Sequence, residues 1–577
     1  MSSLTVRHTR YRHKSTLGER FSIWVLLMTL VSATAPAVAA TTMANAAARP
    51  NILLILADDL GYSDLGAFGG EINTPNLDKL ASEGLRMTQF HTAATCSPTR
   101  AMLMSGVDHH IAGIGNMVEL LTPEQKGHPG YEGYLNQHVV TLPRLLRDAG
   151  YETIISGKWH LGVESDQDPF QRGFEHSFAS LPAGNNHFGL MNSPGVNNKT
   201  MRYAYTENGK TVDSLPADYY SSDYFTQRLI GFMKERDRNR PFFAYLPFTA
   251  PHTPLQAPPE MIAKYRGRYD QGWNVLWKQR LERQRKLGTL PANAPAEAPD
   301  TLLDWNALSA EDKRYSARNM EIYAAMVDRM DWNIGRVLDY LRDTGDLDNT
   351  LVIFLSDNGA EGANIIQQTF MAVGIRIPPT PYDKLGSATS KTGYGPDWAQ
   401  ASTLPFRLFK ANTSQGGLVS PTIIRYPGFS RQQGNIDGAF ATVMDIAPTV
   451  LELAGVKHPG TRYHDRDVAP LDGHSMLPYL QGRIDRVHAA DEAIGWELFG
   501  QRALRQDHWK IAWISKPNGS SDWELYDLEQ DPGERHDLSK DHPERFRNMI
   551  KLWDQYAKDK GIILHEQMVS PYNAPVI

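Results

Sequence analysis

The one cysteine of this 577-residue chain, Cys96, lies in the pentapeptide Cys96-Ser97-Pro98-Thr99-Arg100. An isolated cysteine is most often a small buried apolar residue, and this is the alternative to a chemical role. Here, however, Ser97 and Pro98 favour a backbone turn, and Arg100 places a permanent positive charge near the sulfur or near any group that replaces it. We therefore expect the chemistry of the protein to start at position 96.

Two candidate strands end in adjacent residues that carry oxygen ligands. The apolar run 51–56 leads into Asp58 and Asp59, and the run 351–355 leads into Asp357 and Asn358. Open α/β sheets bind ligands at the carboxyl ends of their strands. Three carboxylates and an amide oxygen without a nearby imidazole favour Ca²⁺ or Mg²⁺ over zinc, and an all-protein oxygen cage favours Ca²⁺. The alternative is that both pairs are turn formers that cap strand ends.

Three further segments supply positive charges and groups that can carry protons. Lys158 and His160 lie two residues apart between glycines, directly after a candidate strand. His252 follows a proline in the loop after another strand, and Lys410 precedes a Gln-Gly-Gly segment. A histidine chosen at random is more often a surface or core residue than a catalytic one. The position of these two at strand ends is what indicates a role in proton transfer.

The segment around Cys96 resembles the C-x-P-x-R signature of type I sulfatases, in which this cysteine is oxidised after synthesis to Cα-formylglycine. The resemblance covers most of the chain after residue 49 and is greatest to bacterial arylsulfatases, as in the segments 108–113 (DHHIAG) and 330–335 (MDWNIG). It implies an alkaline phosphatase-like fold, a sulfate ester as substrate, and a formylglycine-generating enzyme as partner during biosynthesis. The positions that match the active site of the family are, in order, Asp58, Asp59, Cys96, Arg100, Lys158, His160, His252, Asp357, Asn358 and Lys410.

The resemblance also implies which residues bind the metal and which form and release the product. The implied ligands of one calcium ion are Asp58, Asp59, Asp357, Asn358 and the formylglycine derived from Cys96. The formylglycine hydrate has two geminal hydroxyls, of which one loses its proton to Asp357 and attacks sulfur. Loss of the second proton to His160 then expels sulfate and restores the aldehyde.

The remaining matched positions are implied to act on the leaving group and on the negative charge of the ester. His252 with Lys410 assists the leaving oxygen, whereas Lys158 and Arg100 hold anionic oxygens and orient the hydrate. Together with the metal, these positive charges stabilise the charge that develops during the reaction.

The elements that position these residues follow from short apolar runs that alternate with helical patterns. The clearest strands are expected at 51–57, 151–156, 241–246 and 350–355, and apolar residues spaced by three and four predict a long helix over 322–341. The alternation predicts an α/β fold with a large, mostly parallel mixed sheet sandwiched by helices. Aromatic runs after about residue 485 predict a smaller antiparallel sheet, followed by a helix over 543–559.

These patterns divide the chain into a signal peptide at 1–46, a catalytic domain at 47–484 and a small C-terminal subdomain at 485–577 that packs on the catalytic domain. Two stretches, 271–299 and 365–396, interrupt the alternation with basic, proline-rich or glycine-rich sequence. We expect both to be surface excursions.

The first forty residues predict a secretory signal peptide. Five Arg or Lys residues precede an apolar run at 21–31, and small residues with Ala-x-Ala sites at 37–39 and 44–46 follow it. The run is short for a transmembrane helix, so an uncleaved membrane anchor is the alternative. We expect a bacterial protein exported to the periplasm or beyond, without stable membrane association after cleavage.

Composition excludes several other classes of protein. The net charge is −6 and the Lys and Arg residues are spread along the chain, which excludes nucleic acid as a partner. A single cysteine excludes an intramolecular disulfide, so stability must come from packing and bound metal.

Three other functions compete with sulfate-ester hydrolysis. A phosphonate or phosphate ester hydrolase of the same superfamily can use the same nucleophile and a divalent metal. A non-catalytic protein that binds sulfated glycans is a weaker alternative, since none of the expected catalytic side chains is missing. Phosphatases with a catalytic cysteine have five residues between Cys and Arg, whereas this chain has three.

Tyr394 and Trp398 are either structural or line the mouth of the site for a flat substrate.

Overall fold

The computed structural model describes residues 49–190, 204–290, 302–363, 378–431 and 434–564. The predicted signal peptide at 1–46 lies outside these residues, and so does the part of the second predicted excursion at 365–377. Within the described ranges, none of the helices combines the length and the apolar character needed to cross a membrane.

A ten-stranded mixed sheet lies at the centre of the fold, with the strand order β11-β2-β10-β9-β1-β8-β4-β5-β6-β7. The five neighbouring strands from β9 to β5 are parallel, and antiparallel strands flank them on both sides. The strands of the described residues are β1 (Asn51–Ala57), β2 (Leu85–Met87), β3 (Phe90–His91), β4 (Glu152–Lys158), β5 (His176–Ser180), β6 (Tyr205–Glu207), β7 (Lys210–Thr211), β8 (Phe242–Pro247), β9 (Thr350–Ser356), β10 (Thr422–Arg425), β11 (Asn435–Asp437), β12 (Ala441–Thr442), β13 (Arg462–Tyr463), β14 (Arg466–Asp467), β15 (Ala493–Leu498), β16 (Gln501–Gln506), β17 (Trp509–Trp513) and β18 (Trp523–Asp527).

Helices cover both faces of this sheet. Because successive side chains of a strand point to opposite faces, Leu53 and Ile55 of β1 join one buried cluster, whereas Leu54 and Leu56 join another. Helices α1, α4 and α7 contribute to the first cluster, and α2, α3 and α10 contribute to the second. The predicted α/β sandwich is therefore confirmed. The helices of the described residues are α1 (Pro75–Glu83), α2 (Cys96–Ser105), α3 (Leu142–Asp148), α4 (Ser221–Glu235), α5 (Pro259–Ala263), α6 (Trp273–Leu287), α7 (Ala310–Asp343), α8 (Pro396–Ser402), α9 (Gln415–Leu418), α10 (Ile446–Leu453), α11 (Leu477–Leu480) and α12 (Pro543–Asp559).

The excursion predicted at 271–299 is wrong over its first half. Residues Trp273–Leu287 form helix α6, which buries Trp273, Trp277 and Leu281. Arg280 is also fully buried, where it contacts Asp64 and Glu71 at 2.6 and 2.7 Å. The apolar residues of α6 are separated by many charged residues, and one of these, Arg280, lies on the buried face, so the helical pattern was not recognised. Residues 291–301 lie outside the described residues.

The C-terminal region forms the smaller antiparallel sheet that the sequence predicts. Its order is β15-β16-β17-β18, and β16 lies outside the aromatic runs that predict the sheet because four of its six residues are polar or charged. Helix α12 has the predicted bounds and packs Met549 and Trp553 against the sheet. The sheet also contacts the region before residue 485, since Trp496 Nε1 donates a hydrogen bond to the carbonyl oxygen of Thr92 at 3.0 Å. The domain boundary at residue 484 stays a prediction.

A buried histidine joins the C-terminal sheet to the segment 108–113. His110 Nδ1 lies 2.9 Å from Asp108 Oδ1, and His110 Nε2 lies 3.1 Å from Glu497 Oε2 on β15. Tyr556 of α12 donates a hydrogen bond from its hydroxyl to Asp108 Oδ2 at 2.8 Å. Burial alone would lower the pKa of His110, but its hydrogen bonds to the two carboxylates outweigh burial and raise the pKa from 6.5 to about 9. His110 is therefore a positively charged bridge at neutral pH.

This bridge predicts a pH-dependent difference in stability between the wild type and His110→Gln. The folded-state pKa is raised, so the stabilising contribution is fully present below pH 6.5 and is lost as the pH rises through about 9. We expect His110→Gln to lower the free energy of unfolding by about 3 kcal/mol near pH 6, and by much less above pH 9. Urea unfolding across this pH range measures the difference.

The exposed His128 is the matched control, since His128→Gln should leave the free energy of unfolding unchanged at every pH. Burial and the neighbouring charge of His110 lower the pKa of His109 to about 3, so the substitution also affects His109, but this residue stays neutral in both folded proteins above pH 7. A difference between wild type and His110→Gln that is constant from pH 6 to 10 would contradict a charged bridge.

Candidate active site

Four neighbouring parallel strands, β9, β1, β8 and β4, end at the same edge of the sheet. Each strand leads into residues that the sequence analysis singled out. In the same order, these residues are Asp357 and Asn358, Asp58 and Asp59, His252, and Lys158 with His160. Lys410 reaches the same edge from the loop between α8 and α9, where its backbone N–H donates to the carbonyl oxygen of Ala360. All the predicted site residues are therefore brought together.

Cys96 is the first residue of helix α2, which is buried along its whole length. Its Sγ lies 3.3 Å from His160 Nδ1, and one ligand atom from each of Cys96, Asp58 and Asp357 lies within 4.8 Å of the others. The turn predicted for Ser97 and Pro98 is wrong, because both belong to the first turn of the helix. A proline is accepted there since the first N–H groups of a helix have no intrahelical partner.

Each carboxylate of the cluster lies against a buried positive charge. The pairs are Asp58 Oδ2 with Lys158 Nζ at 2.7 Å, Asp357 Oδ2 with Arg100 Nη2 at 2.7 Å, and Asp59 Oδ1 with Lys410 Nζ at 2.8 Å. All six residues are at most 1% exposed. Six buried charges are costly to desolvate even in pairs, so the cluster indicates function more than stability.

The positive charges do not neutralise the three carboxylates equally. Burial alone would raise the pKa of Asp59, but the positive charges of Lys410 and Lys158 outweigh it and hold the pKa at about 2. Burial raises the pKa of Asp357 to about 7, and the nearby Asp58 carboxylate adds to this effect. A cation bound beside Asp357 would favour the ionised form of its carboxyl and lower this pKa.

The donor set of this edge fits a hard cation. The expectation that no imidazole lies nearby is wrong, because one ligand atom of His252 lies within 4.8 Å of those of Asp58 and Asp59. Asp58 Oδ1 and Asn358 Oδ1 are buried and accept no hydrogen bond, which is costly for a buried oxygen; Asp58 Oδ1 has only the charge of Arg100 Nη2 at 3.6 Å. The opposite atoms of both side chains are held, Asp58 Oδ2 by Lys158 and Asn358 Nδ2 by Asp59 Oδ1 at 2.7 Å. Two orphaned oxygens fixed in this way, beside the carboxylates of Asp59 and Asp357, match the oxygen ligands that Ca²⁺ takes in proteins.

The two histidines lie on different sides of the cluster. His160 Nδ1 contacts Cys96, whereas His252 Nε2 lies 3.5 Å from Asp59 Oδ2. The backbone oxygen of Thr253 lies 2.5 Å from His252 Nδ1 and can only accept a hydrogen bond, so Nδ1 carries a proton. Burial lowers the pKa of His252 to about 3, so the neutral ring presents an unprotonated Nε2 to Asp59.

Two acidic residues that contact the site were not predicted from the sequence. Glu119 Oε1 lies 3.5 Å from His160 Nε2, and Glu361 Oε2 lies 3.0 Å from Lys410 Nζ. Glu361 follows Asn358 by three positions in the same strand-end loop, and this proximity is a signal that could have been used. Glu119 belongs to no recognisable motif, and only the fold brings it to His160.

Gly157 and Gly359 allow the backbone to pack closely at two of the strand ends. A Cβ on Gly157 would lie 1.9 Å from the carbonyl oxygen of Pro247, and one on Gly359 would lie 1.8 Å from that of Gly416. Both strand ends therefore need glycine for close backbone packing.

Tyr394 and Trp398 are 5% and 0% exposed, so both are core residues and neither offers a free face at the mouth of the site.

The fold and the strand-end cluster together define a hydrolase of the alkaline phosphatase-like class. Within this class the chain belongs to the sulfatase family, enzymes that hydrolyse sulfate esters, because the family model named Sulfatase matches residues 50–456. A second model, for the C-terminal region of N-sulphoglucosamine sulphohydrolase, matches residues 410–558.

Individual relatives agree with this assignment. An uncharacterized sulfatase of Schizosaccharomyces pombe is 48% identical over 532 residues, which is 89% of this chain and 94% of the relative. The arylsulfatase of Klebsiella aerogenes is 39% identical over 429 residues, covering 74% of this chain and 91% of the relative. Among solved structures, Ps i-CgsB in complex with a neocarrahexaose superposes with a TM-score of 0.65 at 25% identity, covering 90% of this chain and 95% of that one.

Proposed function

We propose that the protein is an arylsulfatase that converts an aryl sulfate and water to a phenol and sulfate, with formylglycine at position 96 and one calcium ion. The observation that carries this proposal is the position of Cys96, within 4.8 Å of two carboxylates and 3.3 Å from His160. The identity of 39% to an arylsulfatase supports the aryl specificity.

A modified residue, formylglycine at position 96, and a bound calcium ion complete the proposed site. As its hydrate, formylglycine supplies two geminal hydroxyls, one to attack sulfur and one whose deprotonation releases sulfate. A bound calcium ion supplies Lewis-acid and charge stabilisation beside Asp58, Asp59, Asp357 and Asn358.

The side chains of the chain move the protons and hold the negative charge. Asp357 accepts the proton of the attacking hydroxyl, and His160 accepts the proton of the second hydroxyl. Arg100 and Lys158 hold the sulfuryl oxygens and orient position 96. These roles agree with the contacts of each side chain with position 96 or with the carboxylates around it.

The leaving oxygen is assigned to His252 together with Lys410. Because Nδ1 is committed to Thr253, His252 can donate from Nε2 only in its imidazolium form. A bound anionic ester favours this form, since its negative charge opposes the effect of burial on the pKa. Proton donation by His252 is therefore expected only in the substrate complex.

This assignment predicts that His252→Ala is sensitive to the leaving group. For esters of poorly acidic phenols and alcohols we expect kcat/KM to fall by about 10²–10⁴-fold, as for loss of a general acid, and by much less for a nitrophenyl sulfate. A plot of log kcat/KM against leaving-group pKa should become steeper in the variant. The exposed His138, replaced by Ala, is the control and should leave the plot unchanged.

His160→Ala should behave differently, because His160 is assigned to sulfate release. We expect a rapid burst of about one phenol per enzyme, followed by slow turnover with every leaving group. If His252→Ala lowers kcat/KM equally for all esters, or shows the burst of phenol that His160→Ala lacks, the two roles are assigned the wrong way round.

The proposed activity is tested with matched esters of one phenol. The purified enzyme is assayed with the aryl sulfate, the phosphate monoester and the phosphonate monoester, and with alkyl and sugar sulfates. The proposal expects the largest kcat/KM for the aryl sulfate. A larger value for the phosphonate or phosphate ester would favour the related hydrolase function, and no turnover of any ester would favour a binding protein.

We further propose that the mature enzyme is exported and is modified by a formylglycine-generating enzyme during biosynthesis. The predicted signal peptide leads us to expect the new N-terminus between about residues 40 and 47. N-terminal sequencing of protein from fractionated cells tests this, and an intact N-terminus in the membrane fraction would indicate an uncleaved anchor.

A further inference from the structure

Two histidines and a glutamate that are not among the ten predicted sulfatase residues converge in the region between helix α10 and strand β15. One ligand atom from each of His474, His488 and Glu492 lies within 4.8 Å of the others. His474 Nε2 is 2.8 Å from Glu492 Oε1, and His488 Nδ1 is 3.1 Å from Glu492 Oε2. The two imidazole rings are inclined at 62° to each other with centroids 4.9 Å apart, so they converge without stacking.

A buried carboxylate behind the cluster holds both histidine segments in place. Asp445 is fully buried; its Oδ2 lies 2.8 Å from His488 Nε2, and its Oδ1 accepts a hydrogen bond from the backbone N–H of His474 at 2.7 Å. The carboxylates of Asp445 and Glu492 outweigh burial and raise the pKa of His488 to about 9, so a metal ion has to displace the Nδ1 proton. The Nε2 proton then stays directed at Asp445, and the lone pair of the neutral ring is on Nδ1. A carboxylate that fixes a histidine from behind is the usual support of a metal-binding imidazole.

The inner nitrogen of His488 lacks the partner that a structural histidine has. His488 is 6% exposed, and its Nδ1 makes no hydrogen bond although Glu492 Oε2 is only 3.1 Å away. His488 Nδ1 and Glu492 Oε2 are therefore close, but their geometry is not that of a hydrogen bond. An ion between the two atoms would satisfy both, and would also bind His474.

The cluster borders a cavity of about 610 Å³ that His488 and Glu492 help to line. The other lining residues include Arg505 and Phe440, whereas the ten predicted sulfatase residues do not line it. Three protein ligands leave one position of a tetrahedral ion open, and water from this cavity can reach it.

From this geometry we propose that His474, His488 and Glu492 form a second metal site, selective for zinc or a similar divalent transition metal. Two imidazoles and one carboxylate favour such an ion over calcium, which takes oxygen ligands. The site is independent of the proposed sulfatase mechanism. The competing interpretation is a protonated His488 held between two carboxylates, and this arrangement needs no ion.

Zinc titration of the full-length protein separates the two interpretations. Metal-depleted protein is titrated with ZnCl₂ against a chromophoric chelator, with excess Ca²⁺ present throughout to occupy the oxygen site. We expect the wild type to bind one zinc ion that His474→Ala and Glu492→Gln each weaken by about 100-fold or more. Co²⁺ in place of zinc should give the visible absorption of tetrahedral coordination, and this absorption should be lost in both variants.

The controls locate the site and exclude unfolding. His128→Ala removes an exposed histidine outside the cluster and should bind zinc as the wild type does, and His508→Ala tests the neighbouring group His508, Asp527 and Glu529. Since the His474 side chain is 49% exposed, His474→Ala should fold, and thermal unfolding checks this. The proposal is overturned if the wild type binds no zinc at micromolar concentrations, if both variants bind it unchanged, or if only His508→Ala loses it.

Discussion

Replacing Cys96 with alanine should abolish sulfate-ester hydrolysis, with kcat falling by roughly 10⁴–10⁶-fold, as expected for loss of a nucleophile. The fold should survive, because Cys96 is a single small side chain at the start of a helix that packs along its whole length. Cys96→Ser should be equally inactive unless the host oxidises serine. Ser105→Ala, at the other end of the same buried helix, is the control and should remain active.

The same hypothesis makes a prediction about the chemical state of the active protein. Conversion of the thiol to an aldehyde lowers the mass of the peptide containing position 96 by about 18 Da and makes it reactive towards hydrazides. The extent of conversion, measured by peptide mass spectrometry on several preparations, should be proportional to specific activity. Full activity in protein whose thiol can be completely alkylated would rule out formylglycine as the nucleophile.

The frame of the site could be predicted from the sequence because parallel strands buried on both faces are continuous apolar runs. Such runs end abruptly where the backbone leaves the sheet, so Asp58 and Asp357 are identified as strand-end residues without any structure. Strand β16 and helix α6 were missed for the opposite reason. Their buried positions include polar or charged residues whose partners come from distant segments, as Arg280 does with Asp64.

The contacts within the site could be predicted only in part. The residues of the C-x-P-x-R motif and the strand ends are local in sequence, and the sheet order then brings them together. Glu119 contacts His160 from a single 3-10 turn, Val118–Leu120, that no sequence motif marks. The aromatic residue Trp398 could not be distinguished from a substrate contact. Its packing against Trp273 and Trp305 depends on a helix that the composition concealed.

Removing the metal should have an effect comparable to removing the nucleophile. After exhaustive chelation we expect activity to fall by about 10³-fold or more and to return on addition of Ca²⁺, because the buried negative charge beside Asp357 loses its counter-ion. Elemental analysis should find one calcium ion per chain before chelation. Full activity with no metal detected would contradict the proposed site, whereas Mg²⁺ or Mn²⁺ in its place would change only the identity of the ion.

Variants of the two orphaned oxygens distinguish a bound ion from a purely structural cluster. Ligand binding stabilises the folded state by about 4 kcal/mol at a concentration of 1,000 Kd, so Ca²⁺ should raise the Tm of the wild type. Asp58→Asn and Asn358→Ala each remove one candidate ligand and should reduce this increase, and Asp339→Asn at the surface should not. The comparison between calcium and chelator within each variant separates ion binding from the cost of the substitution itself. If calcium raises the Tm of all four proteins equally, the ion binds elsewhere and the orphaned oxygens are not its ligands.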